Sequence, residues 1–374
     1  MSGKRLFIMA FGLFMAAAAA AQAEDDKNLE FLGSVAQRYD DNITSARYGA
    51  KDDFVTTARL GVRMTAESKR SFFKLSGTLD YDFFASSSGY NNFSQDASAE
   101  YKKEFSVYDR VIINADVRHA EEPGSFDEAL GTASGRYSYM TGSSALTYIR
   151  DLSRKSSAYL KYTFGMKDFS RKSMLDSYIN TAGLGYNYYL LSTRLLSFGY
   201  DYSRRDFDPG PYFTASQRLW SGLSEEITPK LSAELKLGVD RMRSASGEHH
   251  TRPLAITTFN YLAGELTSAS LSVSSQSVLS ADQLDLFDSS RVSFGLKHRI
   301  SRRSVLNFLV FYGKGRYVNS NIKDKLSGID LKFTYEINTS ASAFAGYSRS
   351  ETDSNLDDRG YVRNTYSAGI NWEF

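Results

Sequence analysis

Four histidines are the only side chains suited to acid–base work near neutral pH: His119, His249, His250 and His298. A hydrolase would need one of them between a serine nucleophile and a carboxylate, an arrangement defined by geometry. No spacing of Ser, His and Asp or Glu suggests it. Cysteine is absent, so thiolate catalysis, disulfides and thiolate metal sites are excluded. No glycine loop of the phosphate-cradling kind occurs. His249 and His250 fall in an expected external loop. His119 lies near a strand's outer end and His298 on an outward face, where solvated or interfacial imidazoles are the favoured reading. Neither enzyme activity nor a cofactor or metal is expected.

The remaining chemistry sits in charged side chains spaced two, four or six apart. Arg59 and Arg63 form one such set, and Lys74, Asp80 and Asp82 another. Lys161 with Lys167, Asp201 with Arg205, and Glu234 with Lys236 and Asp240 repeat the spacing. So do Lys297 with Arg299, and Asp330 with Lys332 and Glu336. Even spacing puts each set on one face of a β-strand, whereas a helix would scatter it. Apolar residues fill the alternate positions: Phe73, Leu75 and Leu79; Leu160, Tyr162 and Phe164; Leu235, Leu237 and Val239; Leu331, Phe333 and Tyr335. The elements positioning these charges are therefore strands with one polar and one apolar face.

Reading this period along the chain gives about 18 strands, with about 16 as the alternative because strand merges are easy to miss. The first spans 29–39 and the last 361–374; residues 134–149, 213–226 and 250–262 mix their faces, and the strands there, 134–150, 213–226 and 250–263, are assigned partly because neighbouring strands need partners. Tight connections, such as Glu67–Lys69, Asp151–Arg154 and Ser301–Arg303, alternate with longer polar ones, such as 40–52, 122–133 and 352–360. Short periplasmic turns alternating with long external loops describe a transmembrane antiparallel up-and-down β-barrel, all-β, with both ends of the barrel chain on the periplasmic side. A barrel in lipid must also close, since an open edge would leave backbone groups unsatisfied.

The N-terminus reads as an export signal. Lys4 and Arg5 precede an apolar stretch from Leu6 to Ala21, and Ala21-Gln22-Ala23 is a small-x-small cleavage site. Residues 1–23 are thus read as a signal peptide and 24–374 as the barrel. Without Lys4 and Arg5, the 45 basic residues become 43, equal to the 43 acidic ones, so no field gathers nucleic acid. Past the signal no apolar run approaches the roughly 20 residues of a membrane helix. Mean hydropathy is −0.38, which a barrel tolerates because only alternate residues meet lipid. The expected location is the outer membrane of a Gram-negative-type bacterium.

The last strand carries Tyr366, Ile370, Trp372 and Phe374 at alternate positions. It resembles the C-terminal assembly signal of outer-membrane proteins, which implies the barrel-assembly machinery and membrane lipid as partners. The stretch Val35-Ala36-Gln37-Arg38-Tyr39-Asp40-Asp41-Asn42-Ile43 resembles the start of β-barrel porin-type proteins associated with exopolysaccharide synthesis and export loci. That resemblance implies passage of polysaccharide and contact with periplasmic export proteins. Read bottom-up, Asp and Asn in this stretch start a turn; a cation site would need more than one acidic pair.

Two functional classes fit. A barrel of this size leaves an aqueous lumen if no loop fills it, giving a channel for polysaccharide or small hydrophilic solutes. A lumen filled by charge networks or folded-in loops would instead make a structural or interaction barrel. The mixed inward charges fit neutralising wall pairs better than a transverse field.

Overall fold

The structure is a computed structural model and describes residues 26–121, 137–170, 175–280 and 284–374. The expected signal peptide, residues 1–23, lies outside these.

Eighteen antiparallel strands form one sheet. They are β1 (Asp26–Asp40), β2 (Asp53–Glu67), β3 (Ser71–Phe84), β4 (Asn92–Glu104), β5 (Asp109–Ala120), β6 (Tyr139–Ser153), β7 (Ser156–Phe169), β8 (Asp176–Leu191), β9 (Arg194–Asp208), β10 (Phe213–Thr228), β11 (Leu231–Arg243), β12 (His249–Leu262), β13 (Thr267–Leu279), β14 (Leu286–Ser301), β15 (Ser304–Tyr317), β16 (Lys323–Glu336), β17 (Ala341–Ser354) and β18 (Tyr361–Glu373). Each strand pairs with its sequence neighbours, and β1 pairs with both β2 and β18. The sheet therefore closes on itself, the condition for a β-structure to sit in hydrocarbon.

Alternation decides the two faces. Leu60 opposite Leu79, and Leu219 opposite Val239, share the outer face. Leu60 and Leu219 are 67% and 66% exposed, which costs nothing in lipid and would be unfavourable in water. The intervening residues carry the charges and point inward. Serine pairs close three of the short turns: Ser68 with Ser71 at 2.7 Å, Ser153 with Ser156 at 2.8 Å, and Ser301 with Ser304 at 2.5 Å. The second of these is why β6 runs to Ser153, past its expected end at 150. It starts at Tyr139, after 137 and 138; the expected start at 134 lies outside the described residues.

The closing seam is built around a large-to-none contact. The Trp372 indole of β18 lies over Gly33 of β1, where any Cβ would collide with the ring. Trp372 opposes Gly33 directly in the register, so the ring covers a position that has no side chain of its own.

The barrel departs from a plain cylinder at one place. β11 and β12 stay paired up to Arg243 and His249, but β12 and β13 part above Ala255 and Ser275. Above that split the β13–β14 hairpin passes inside the wall. Ser277, Leu279, Leu286 and Asp288 continue the outward parity of Val273 and Val292, yet all four are buried. Leu279 and Leu286 pack with Met242, from the inner face of β11, and against Ile179 of β8. Arg218 of β10 donates to the Ser277 carbonyl at 3.3 Å. The outer face of the hairpin thus rests on the inner face of β8–β11 and narrows the external half of the lumen.

Candidate functional site

The lumen collects the charges that the sequence spaced evenly. Arg59 grips Asp80 with two hydrogen bonds of 2.6 Å across β2 and β3. Arg63 reaches Glu30 at 2.7 Å and Glu373 at 3.2 Å, linking three strands at the seam. Asp82 accepts from Thr57 at 2.5 Å. Lys74 stands opposite Glu100, whose carboxylate is taken by Lys102 at 2.7 Å. On β14, Lys297 and Arg299 share the inner face, as do Asp330, Lys332 and Glu336 on β16. Glu234 is also on the inner face, opposite Ser224 and Thr258. Wall pairs therefore account for part of the inward charge, and several lysines are left facing the lumen.

Two lumen cavities bring separate strands together. One, of about 410 Å³, is lined by Lys161, Asp201, Arg205 and Arg218, hydroxyls of Thr163, Thr181, Ser203 and Ser216, and residues 277–279 of the tucked hairpin. Arg218 is clamped by Asp240 at 2.6 and 2.9 Å. Trp220, next on the same face of β10, donates its indole N–H to Asp201 at 2.9 Å, and the Lys236 ammonium sits 3.8 Å above its ring. The second cavity, of about 370 Å³, joins Arg118 of β5 to Asp330 and Lys332 of β16 and to Arg38 and Arg363 near the seam. Lys332 lies 4.7 Å from the centroid of Phe344, an aromatic ring facing water rather than lipid.

The acidic turn after β1 is a clasp. Arg363 of β18 holds Asp40 with contacts of 3.0, 3.1 and 2.5 Å, both side chains buried. Asp41 accepts from the backbone and side-chain nitrogens of Asn364, each at 2.6 Å. Asn42 donates to the Val362 carbonyl at 2.8 Å, and its own N–H bonds back to Asp40 at 3.1 Å. Turn chemistry is present, but the acids mainly fasten the first strand to the last. Above the seam, Arg359 in the turn Asp357–Arg359 meets Asp324 at 2.9 Å. Burial disfavours its charge, and Tyr317 with Asp324 outweighs that, so its pKa rises above the usual arginine value.

Tyr366, Ile370, Trp372 and Phe374 share the outer face of the seam, where the Tyr366 ring lies tilted against those of Tyr39 and Tyr347, 6.5 and 5.1 Å away. The histidines stay apart. His119 meets Ser138 at 3.1 Å, His298 meets Thr267 at 2.8 Å, and His250 lies 3.2 Å from Asp288. His249 and His250 open β12 instead of lying in a loop, because Gly247 at φ 90° has already turned the chain. Among the described residues, no three metal-ligating side chains come together.

Sequence reasoning missed Arg218 and Trp220. Their strand mixes its faces because a large aromatic points inward. The only signal available was the parity of Leu219 and Leu223, which fixes their neighbours as inward.

A closed sheet with an apolar outer wall and a charged interior defines a porin-like β-barrel of the bacterial outer membrane. Residues 215–374, from β10 to β18, match the family described as "Putative beta-barrel porin 2". The motif at 35–43 lies outside the matched residues. OccK2 (OpdF) from Pseudomonas aeruginosa is similar at a TM-score of 0.51 and 10% identity, over 93% of this chain and 98% of that one. The same protein solved in complex with glucuronate gives 0.52 and 10%, over 93% and 98%. The apoprotein form of the FrpB iron transporter (F5-1 variant) from Neisseria meningitidis gives 0.51 and 9%, over 94% and 81%. These likenesses concern the fold alone. No curated protein matches the chain.

Proposed function

We propose that this barrel is a channel for hydrophilic solutes, with polysaccharide or its acidic sugar units as the class that fits its wall, and that it carries no catalytic step. The observation that carries this reading is the 410 Å³ cavity beneath the tucked hairpin. It offers Lys161 for a carboxylate and a set of hydroxyls for sugar OH groups. Guanidinium and ammonium groups bind carboxylates by charge-assisted hydrogen bonds. The complex of OccK2 with glucuronate supports the same chemistry in a barrel of similar fold. The resemblance of residues 35–43 to exopolysaccharide-associated porins points to polysaccharide export and to periplasmic export proteins as partners. The barrel-assembly machinery would read Tyr366, Ile370, Trp372 and Phe374.

A second reading is favoured by the hairpin itself. Its external end is buried on both faces from Leu286 to Ser289, so the barrel also fits a gated or closed structural cylinder.

Single-channel conductance of residues 24–374 in a planar bilayer separates the two. Open steps blocked by an acidic oligosaccharide, and less by a neutral one of equal length, support the channel. A folded barrel without conductance supports the closed cylinder.

A further inference from the structure

The split between β12 and β13 leaves a cleft of about 560 Å³ on the outside of the barrel, at its external end. Outward parity on β15 runs from Phe308, Val310 and Tyr312 in the lipid band to Lys314 and Arg316 beyond it. On β16 it runs from Lys323 and Lys325 down to Ile329 and Leu331. The cleft therefore begins where the apolar band ends on the external side.

Its charges are arranged against themselves. Lys314 stands directly opposite Lys325, and Arg316 directly opposite Lys323. Like charges facing each other across a strand pair destabilise a sheet, so two adjacent pairs of this kind are costly in the empty protein. Nearby carboxylates do not balance them. Asp288 is shared by Arg252 at 3.1 Å and Arg316 at 3.2 Å, with His250 at 3.2 Å. Asp353 takes Lys325 at 3.2 Å, and Asp324 is committed to Arg359. Among the described residues Lys314 and Lys323 have no carboxylate partner. One member of each pair has a carboxylate, and Lys314 also lies 5.9 Å from the Tyr312 ring centroid; an anionic oxygen from outside the protein would relieve the remaining repulsion.

We propose that this cleft binds the phosphorylated headgroup of an outer-leaflet glycolipid. Position selects the source. The cations lie on the lipid-facing side of the wall, one to two outward positions beyond Tyr312, at the depth of headgroup phosphates. A phosphate there places oxygens between Lys314 and Lys325 and within reach of Arg316, while the acyl chains follow Tyr312, Val310 and Ile329 downward. The inference rests on the membrane location and is independent of what the lumen carries.

The test uses the refolded barrel in detergent, with lipopolysaccharide, its enzymatically dephosphorylated form and inorganic phosphate as probes. Bound glycolipid is read by native mass spectrometry and the unfolding midpoint is followed. Lipopolysaccharide should bind and raise the midpoint, and the dephosphorylated form should bind at least about tenfold more weakly, as expected when charge-assisted bonds are removed. Lys314→Glu separates this site from a structural role. It turns a repulsive pair into an attractive one, so the empty variant should be more stable than wild type while losing the stabilisation by lipopolysaccharide. Lys314→Gln should lose binding partially and serves if the reversal impairs folding. Lys102→Glu, in the lumen, should leave glycolipid binding unchanged. Equal binding of both glycolipid forms, or undiminished binding by Lys314→Glu and Lys314→Gln, overturns the proposal. Full protection by inorganic phosphate alone overturns the lipid as its source.

Discussion

Removing Asp40 should destabilise the barrel far more than removing an exposed acid of the same wall. Asp40 is fully buried, and its carboxylate takes three contacts from Arg363 of 2.5 to 3.1 Å. Arg38 lies a further 3.9 Å away. Asp40→Ala leaves two arginines beside each other without their shared carboxylate, a loss of about 3–5 kcal/mol for a broken buried pair. The lost bond from the Asn42 N–H adds about 1 kcal/mol. Asp353→Ala, which breaks the exposed pair with Lys325, should cost under about 1 kcal/mol. Combining Asp40→Ala with Arg363→Ala should cost less than the two single changes summed, by about 1–3 kcal/mol, because the two side chains are in direct contact. Urea unfolding of the refolded barrel, followed by tryptophan fluorescence, provides the assay, since Trp372 sits on the same seam. Additive single changes, or an Asp40→Ala cost no larger than that of Asp353→Ala, would refute the clasp.

Reversing Lys161 and Lys236 to Glu should move the reversal potential in a salt gradient towards cation preference; an unchanged potential would mean that ions avoid this wall. Leu279→Asn with Leu286→Asn removes the apolar contact with Met242 and should raise single-channel conductance by freeing the hairpin. Unaltered conductance would show that the hairpin does not limit the pore. Gly33→Val forces a side chain into Trp372 and should cost about 1–3 kcal/mol as an overpacked contact, seen as a lower unfolding midpoint, whereas Gly89→Ala, in open space, should leave the midpoint unchanged.

Period-two alternation made the strands readable wherever polar and apolar residues segregate, as in β3, β7, β11 and β16. The alternation of tight and long connections supplied the strand number. Alternation placed β10 but left its faces mixed, because Trp220 points inward over Gly199 and Gly238 of the two flanking strands. A sequence does not reveal that an aromatic residue is covering glycines on other strands. Alternation also assigns a face without saying what that face will meet. Leu279 and Leu286 keep the parity of lipid-facing residues, yet they pack on the lumen wall because the hairpin leaves the cylinder. The clasp was read as a turn for a related reason. Asp40 and Asp41 find their partners some 323 positions further along the chain, and no local pattern reports on that distance. Lys314 and Arg316 were invisible as a cluster until register set them against Lys325 and Lys323.

The clasp also gives the barrel a way to sense whether its chain has been made to the end. β1 is made first, carrying a buried aspartate and an asparagine whose partners, Arg363, Asn364 and the Val362 carbonyl, are made last. A chain interrupted before β18 can form most of its hairpins, yet it keeps two open edges, on β1 and β17, and an unmet acidic turn. Such an intermediate should be cleaved by added protease faster than the closed sheet. Completion of the final strand, with Trp372 settling over Gly33, is then the step that commits the sheet to the membrane.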